Sequence, residues 1–117
     1  MNAAPYGQAL DYVTRVPGVR AAMLVSAEDG LIVAEQLMEG VKGSAVAALA
    51  ASLATRLRRA MEAAGLGASQ FWHLQGEQGA LLVVPALSGV LVVAVTEAGV
   101  NVGLVRLELL RAAGVVG

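Results

Sequence analysis

The stretch from Gln78 to Thr96 carries no charged residue, and it constrains the whole chain. Its length is close to the roughly 20 apolar residues that a membrane-crossing helix needs. Its interior does not suit a helix. Pro85, Ser88 and Gly89 interrupt it, between Leu81-Leu82-Val83-Val84 and Val90-Leu91-Val92-Val93. β-Branched residues lose side-chain freedom in a helix and pack well on a pleated surface. Two valine-rich runs around a turn signal therefore read as a hairpin of strands, 79–85 and 89–96. Their apolar residues are consecutive, not alternating, so both faces of the sheet must be covered.

The rest of the chain supplies that cover. Residues 5–15 form a short helix with Leu10, Val13 and Tyr6 on one face, stopped by Pro17-Gly18. Strands follow at 19–26 and 31–36, joined by Ala27-Glu28-Asp29-Gly30, where glycine supplies the positive φ of the turn. A glycine-bearing loop, 37–43, leads to a long helix, 44–64, with Ser44 as its N-cap and Gly65 just past its end. A third strand, 69–76, precedes the hairpin, and the short connections predict three antiparallel neighbours. A last helix, 101–113, starts at Asn101, with Leu104, Leu107 and Leu110 along one side. The order α-β-β-α-β-β-β-α predicts one α/β domain over 1–117, a five-stranded sheet with helices on both faces.

On the long helix, Val46, Leu49, Ala50, Leu53, Leu57, Ala60 and Ala64 fall on one stripe, the expected core face. Ser52, Thr55, Arg56, Arg59 and Glu62 form a wet stripe. Between them run Ala47, Ala51 and Ala54, ending in Arg58. These side chains are too small to fill a core and too apolar to favour water. They either let a second helix approach closely or serve only as good helix formers.

Composition narrows the function. Hydrophobic residues make up 57% of the 117, and charged residues 15%, well below the usual quarter. A single copy has too little polar surface to cover so much aliphatic side chain. Eight basic against nine acidic residues leave a net charge of −1, without the basic surplus that nucleic acid or an anionic membrane demands. Residues 1–16 lack a basic start and a long apolar centre, so no signal peptide is read and a cytoplasmic protein is expected.

Catalytic groups are scarce. The chain has no cysteine and one histidine, His73, which nearly excludes the familiar nucleophilic dyads and triads. Gly65-Leu66-Gly67 follows a helix instead of opening one, so it cannot cradle a phosphate. The acidic residues are dispersed, and neither a metal nor a cofactor is expected. Arg56, Arg58 and Arg59 cluster near the end of the long helix, where they complement its negative pole or meet an acidic partner. Phe71-Trp72-His73 places large side chains on both faces of a strand that begins a meander, and bare apolar edges invite pairing with another chain.

The segments 18–36, 45–67, 79–97 and 101–113 together resemble the Roadblock/dynein-light-chain family, in particular its bacterial, MglB-like branch. The features that carry the resemblance are the Val-Ser-x-x-Asp-Gly-Leu turn at 25–31, the alanine-rich helix ending in Gly-Leu-Gly, and the Asn-x-Gly-x-x-Arg opening of the last helix. The resemblance implies the long helix on one face of the sheet and the two terminal helices on the other. It implies a non-enzymatic homodimer with third strands paired and long helices side by side, serving as a platform for a small Ras-like GTPase. By position, the dimer contacts would be Ala47, Ala51, Ala54, Arg58, Phe71, Trp72 and His73, and the GTPase-facing residues Arg56, Arg59 and Glu62. The chain stops at Gly117, short of the longer C-terminus of the gliding-motility regulators, so the resemblance speaks more directly to GTPase binding than to activation. A scaffold subunit without GTPase contact and a small-ligand sensor are the other readings.

Overall fold

The computed structural model describes residues 4–117. The segment read as lacking a leader begins with residues 1–3, which lie outside the described residues. The elements are α1 (Ala4–Thr14), β1 (Val19–Ser26), β2 (Ile32–Leu37), α2 (Gly43–Ala63), β3 (Trp72–Gln75), β4 (Ala80–Pro85), β5 (Val90–Thr96) and α3 (Val102–Val116). The five strands form one antiparallel sheet in the order β2-β1-β5-β4-β3. The meander β3-β4-β5 is the one expected. The β1–β5 pairing joins segments far apart in sequence, and it makes β1, β5 and β4 the buried centre.

Side chains sort by register. Glu35, Met23, Val93, Val83 and Trp72 stand in one row across the sheet, beneath α2. Ala34, Leu24, Val92 and Val84 stand in the alternate row, beneath α1 and α3. Two apolar clusters result, one per face, as strands covered on both sides require. A polar clamp ties α1 to the edge strand β2: Gln36 Nε2 donates to Asp11 Oδ1 (3.0 Å), and Thr14 Oγ1 donates to Gln36 Oε1 (3.1 Å).

Most element ends follow their local signals. Gly30 takes φ +75°, and Asp29 Oδ1 accepts from the Leu31 N–H at 3.1 Å, closing the β1–β2 turn. That hydrogen bond, then one from Ser26, holds the Asp29 carboxyl below its ordinary value. Asn101 caps α3 by accepting from the Leu104 N–H at 3.1 Å. Gly65 takes φ +73°, and its N–H reaches Glu62 O while that of Leu66 reaches Met61 O, satisfying the orphan carbonyls of α2.

Three expectations need correction. Helix α2 begins at Gly43, with Lys42 at the cap and no side-chain cap bond, so Ser44 is not the N-cap. Gly43 is buried against β2, where a Cβ would stand 2.8 Å from Glu35 Oε2 and 2.9 Å from Leu37 Cδ1. The third strand is four residues, not eight, with Phe71 outside it. On α2 the buried line is Gly43, Ala47 and Ala50, flanked by Val46, Leu53, Ala54 and Leu57, while Leu49, Ala60 and Ala64 are exposed. On α3 the buried residues are Val105, Leu109 and Ala112, and the side that Leu104, Leu107 and Leu110 line is the exposed one.

Gly7 lies exposed within α1, where an added Cβ meets nothing within 4 Å. Glycine in a helix interior costs about 1 kcal/mol relative to alanine. Gly7→Ala should therefore raise stability by up to about 1 kcal/mol in chemical denaturation, an expectation that a lowered midpoint would refute.

Candidate interaction surfaces

Helix α2 does not sit centrally on its face of the sheet. It lies over β2, β1 and β5. A row of register partners, Leu37, Ala21, Val95, Leu81 and Leu74, runs under and out from it towards β3. Beyond the helix Leu81 is still buried, and the row ends at Leu74, which is 45% exposed. Leu49 overhangs from α2 on the same side and is 50% exposed. Val46, Leu49, Leu74, Leu81 and Val95 thus line an open groove of about 390 Å³ between α2 and the β3 end of the sheet. Among the described residues, strand β3 pairs only with β4, so its outer edge is unpaired.

The residues singled out from sequence fall into three settings. Trp72 is buried in the α2-side cluster, and its Nε1–H donates to Ser69 Oγ at 3.2 Å. Phe71 packs against the opposite cluster, and Arg106 stacks over its ring, with 5.5 Å from the guanidinium to the centroid. His73 is exposed on the edge strand, with Nε2 3.1 Å from Gln75 Oε1. Ala47 is buried within the protomer, and Ala54 packs half-buried beside it, so the alanine stripe serves the fold first. Ala51 lies on the flank of α2 away from β3. There it lines a second open groove, of about 570 Å³, with Glu28, Asp29, Gly30 and Ser52. An alanine at 51 sits 3.4 Å from where a Gly30 Cβ would be, which is the close approach that these small residues permit.

Arg56, Arg58, Arg59 and Glu62 are exposed and make no ion pair among the described residues. At about 100° per residue, Arg56, Arg59 and Glu62 step across the outer surface of α2, from the Leu49 flank towards the Ala51 flank. They share one outward surface without converging on a point.

Sequence reasoning missed Leu49 and Leu74 as surface residues. Their signal was present but ambiguous, since a leucine on an apolar stripe reads as core unless the sheet beneath ends. Among the described residues, no group of three or more His, Asp or Glu could hold a metal ion, and no helix is long and apolar enough to cross a membrane. Both grooves are wide open, unlike the enclosed sites that bury most of a small ligand.

Comparison with known proteins gives consistent findings. The family model described as Roadblock/LC7 domain matches residues 6–96. The uncharacterized protein MJ0714 of Methanocaldococcus jannaschii is 38% identical over 101 residues, covering 86% of this chain and 84% of that one. A structure of the gliding protein MglB from Thermus thermophilus superposes with a TM-score of 0.81 at 25% identity, covering 98% and 90% of the two chains. A structure of MglB with tetrameric arrangement superposes at 0.80 with 28% identity, covering 97% and 88%.

Proposed function

The chain belongs to the Roadblock/LC7 domain family, and from that premise we propose that it is a homodimeric, non-catalytic regulator that docks a small Ras-like GTPase in the cytoplasm. The observation that carries the dimer is the exposed apolar margin of the sheet beside α2, at Leu74 and Leu49. An apolar groove lies beside an unpaired strand edge, and a second copy turned by a two-fold axis offers both missing parts. Its α2 fills the groove, and its β3 extends the sheet. Self-complementary patches of this kind are the commonest route to closed dimers. Phe71, Trp72 and His73 frame the strand contact. Leu49, with Val46 and Leu53, takes the helix contact that the alanine stripe was expected to make.

The GTPase half of the reading rests on family resemblance and on the outward face of α2. Pairing the two α2 helices would bring two sets of Arg56 and Arg59 onto one continuous surface. The guanidinium groups are free to meet the carboxylates of a partner. Charges of this kind act mainly on encounter rate and specificity.

The test is binding to the Ras-like GTPase encoded nearest this gene, loaded with a non-hydrolysable GTP analogue. Arg56→Glu with Arg59→Glu should weaken the complex at least tenfold, about 1.4 kcal/mol, while light scattering still reports the dimer. Absence of a wild-type complex with any nucleotide state would reject GTPase docking and leave the scaffold reading. A monomer at micromolar concentration would reject the dimer itself.

A further inference from the structure

The sheet has two free edges, and the proposed dimer uses only β3. The other is β2, at the far end of the strand order and paired only with β1 among the described residues. Its backbone is aimed for pairing. The Met38 N–H donates to Arg20 O at 2.9 Å, and Leu31 O accepts from the Ser26 N–H at 2.8 Å, so these residues turn their polar groups towards β1. Between them lies one register irregularity, at Leu24/Val25 of β1, where Val33 is the extra residue. Alternation along an antiparallel strand then turns the backbone groups of Ile32, Glu35 and Leu37 outward, away from the sheet.

The surface around this edge is apolar and acidic at once. Leu31, Ile32, Val33, Leu37 and Met38 are all exposed, Leu31 at 65%. Ile32, Glu35 and Leu37 stand opposite Val25, Met23 and Ala21, on the α2 face of the sheet. On that face the groove of about 570 Å³ opens between the start of β2 and the small side chains Ala48, Ala51 and Ser52 of α2. Exposed carboxylates follow the edge from end to end: Glu28 and Asp29 at the turn, Glu35 within the strand and Glu39 beyond it. Among the described residues none of the four is in an ion pair. The cations beside them are Arg20, whose guanidinium donates to the Glu39 carbonyl at 3.3 Å, and Lys42 at the start of α2.

We propose that β2 is a docking edge for an extended segment of another protein, apolar with interspersed Lys or Arg, which adds a strand beside β2 and sets its cations against Glu28, Asp29 and Glu35. An added strand takes its affinity from main-chain hydrogen bonds and its specificity from alternate side chains. Ile32, Glu35 and Leu37 supply the first, and the groove and carboxylates supply the second. Charge selects the occupant. A second copy laid along β2 brings acidic ends against acidic ends in either direction, and charged edges of this kind guard against self-pairing. Nucleic acid and anionic membranes are repelled by the same carboxylates. A basic strand from a different chain meets both requirements. The proposal goes beyond GTPase docking and does not rest on it. In the proposed dimer the two β2 strands lie at opposite ends of the joined sheet, so both edges stay open.

The probe is a short, fluorescein-labelled peptide, Lys-Val-Lys-Val-Thr-Val-Lys, titrated with the full chain and read by fluorescence polarisation. It should bind saturably, and a counterpart with Glu in place of each Lys should bind at least about tenfold more weakly. N-methylating its central peptide bonds should abolish binding, because strand addition needs those N–H groups and a purely ionic contact does not. Glu28→Lys with Glu35→Lys should weaken the lysine peptide at least about tenfold while circular dichroism and light scattering match wild type. Leu49→Asp with Leu74→Asp, at the other edge, should leave peptide affinity unchanged, which separates this surface from the dimer. A lysine peptide that shows no saturable binding up to about 1 mM overturns the proposal. So does full binding by the N-methylated peptide, by the glutamate peptide or to the double-lysine variant. Loss of binding in the double-aspartate variant would move the peptide to β3 and overturn it equally.

Discussion

Leu49→Asp combined with Leu74→Asp should give a folded monomer, with the dimer dissociation constant raised at least a hundredfold. Both side chains are about half exposed in the single protomer, so a carboxylate at either position stays solvated there and costs little. In the dimer both positions would be enclosed between two sheets' worth of aliphatic surface. An ionised group buried without a partner is among the most costly changes an interface can suffer. Truncations of central contacts often cost 2 kcal/mol or more each, roughly thirtyfold in affinity. Light scattering reads the mass, and circular dichroism reports that the protomer persists. Ala51→Arg provides the contrast. It lies on the other flank of α2, beside Glu28 and Asp29, and should leave the dimer intact. A double-aspartate variant that still elutes as a dimer would remove the groove from the interface.

Gly79→Ala should cost about 3 kcal/mol, the upper part of the range for overpacking a close-fitted site. A Cβ at this position would stand 2.6 Å from the carbonyl oxygen of Thr96. That obstacle is backbone, and it belongs to the strand that pairs with β4 at Ala80↔Thr96. No rotamer change relieves it, so the start of β4 must shift away from β5. Thr96 is itself buried, which leaves the neighbourhood little room to yield. For a chain of this length the loss corresponds to a fall in Tm of roughly 10–15 °C. Thermal melts of the two proteins at equal concentration decide the matter, and a Tm within about 2 °C of wild type would contradict the expected overpacking cost.

Much of the fold could be read from residue type and spacing. The valine runs, Asp29-Gly30, Asn101 and Gly65 each impose a local geometry, and local geometry does not depend on what surrounds it. Strand order was less accessible, because the β1–β5 pairing is made between residues distant in the chain. Helix orientation was least legible. Helix α2 is apolar on more than one flank, and size misled: Ala47 goes underneath beside the expected Ala50, where helix and sheet are tight, and Leu49 overhangs. The same holds for α3, whose outward leucines look like core residues to any periodicity argument. A helix apolar on two sides announces two neighbours without saying which is its own chain. The stacking of Arg106 on Phe71 left no sequence signal at all, since it depends on where β3 begins relative to α3.

The off-centre placement of α2 carries a consequence for the protein's persistence. In the proposed dimer each protomer would leave a margin of its own sheet for the other to roof, so the free energy of folding and that of association would not be independent. A species that is stabilised by a partner identical to itself melts higher the more of it there is. Dilution strips the roof and presents an open strand edge with aliphatic side chains, the form most open to proteolysis and miscoupling. In such a dimer abundance would act as quality control: chains above the dimerisation threshold would protect one another, and stray copies would be the first exposed to proteolysis.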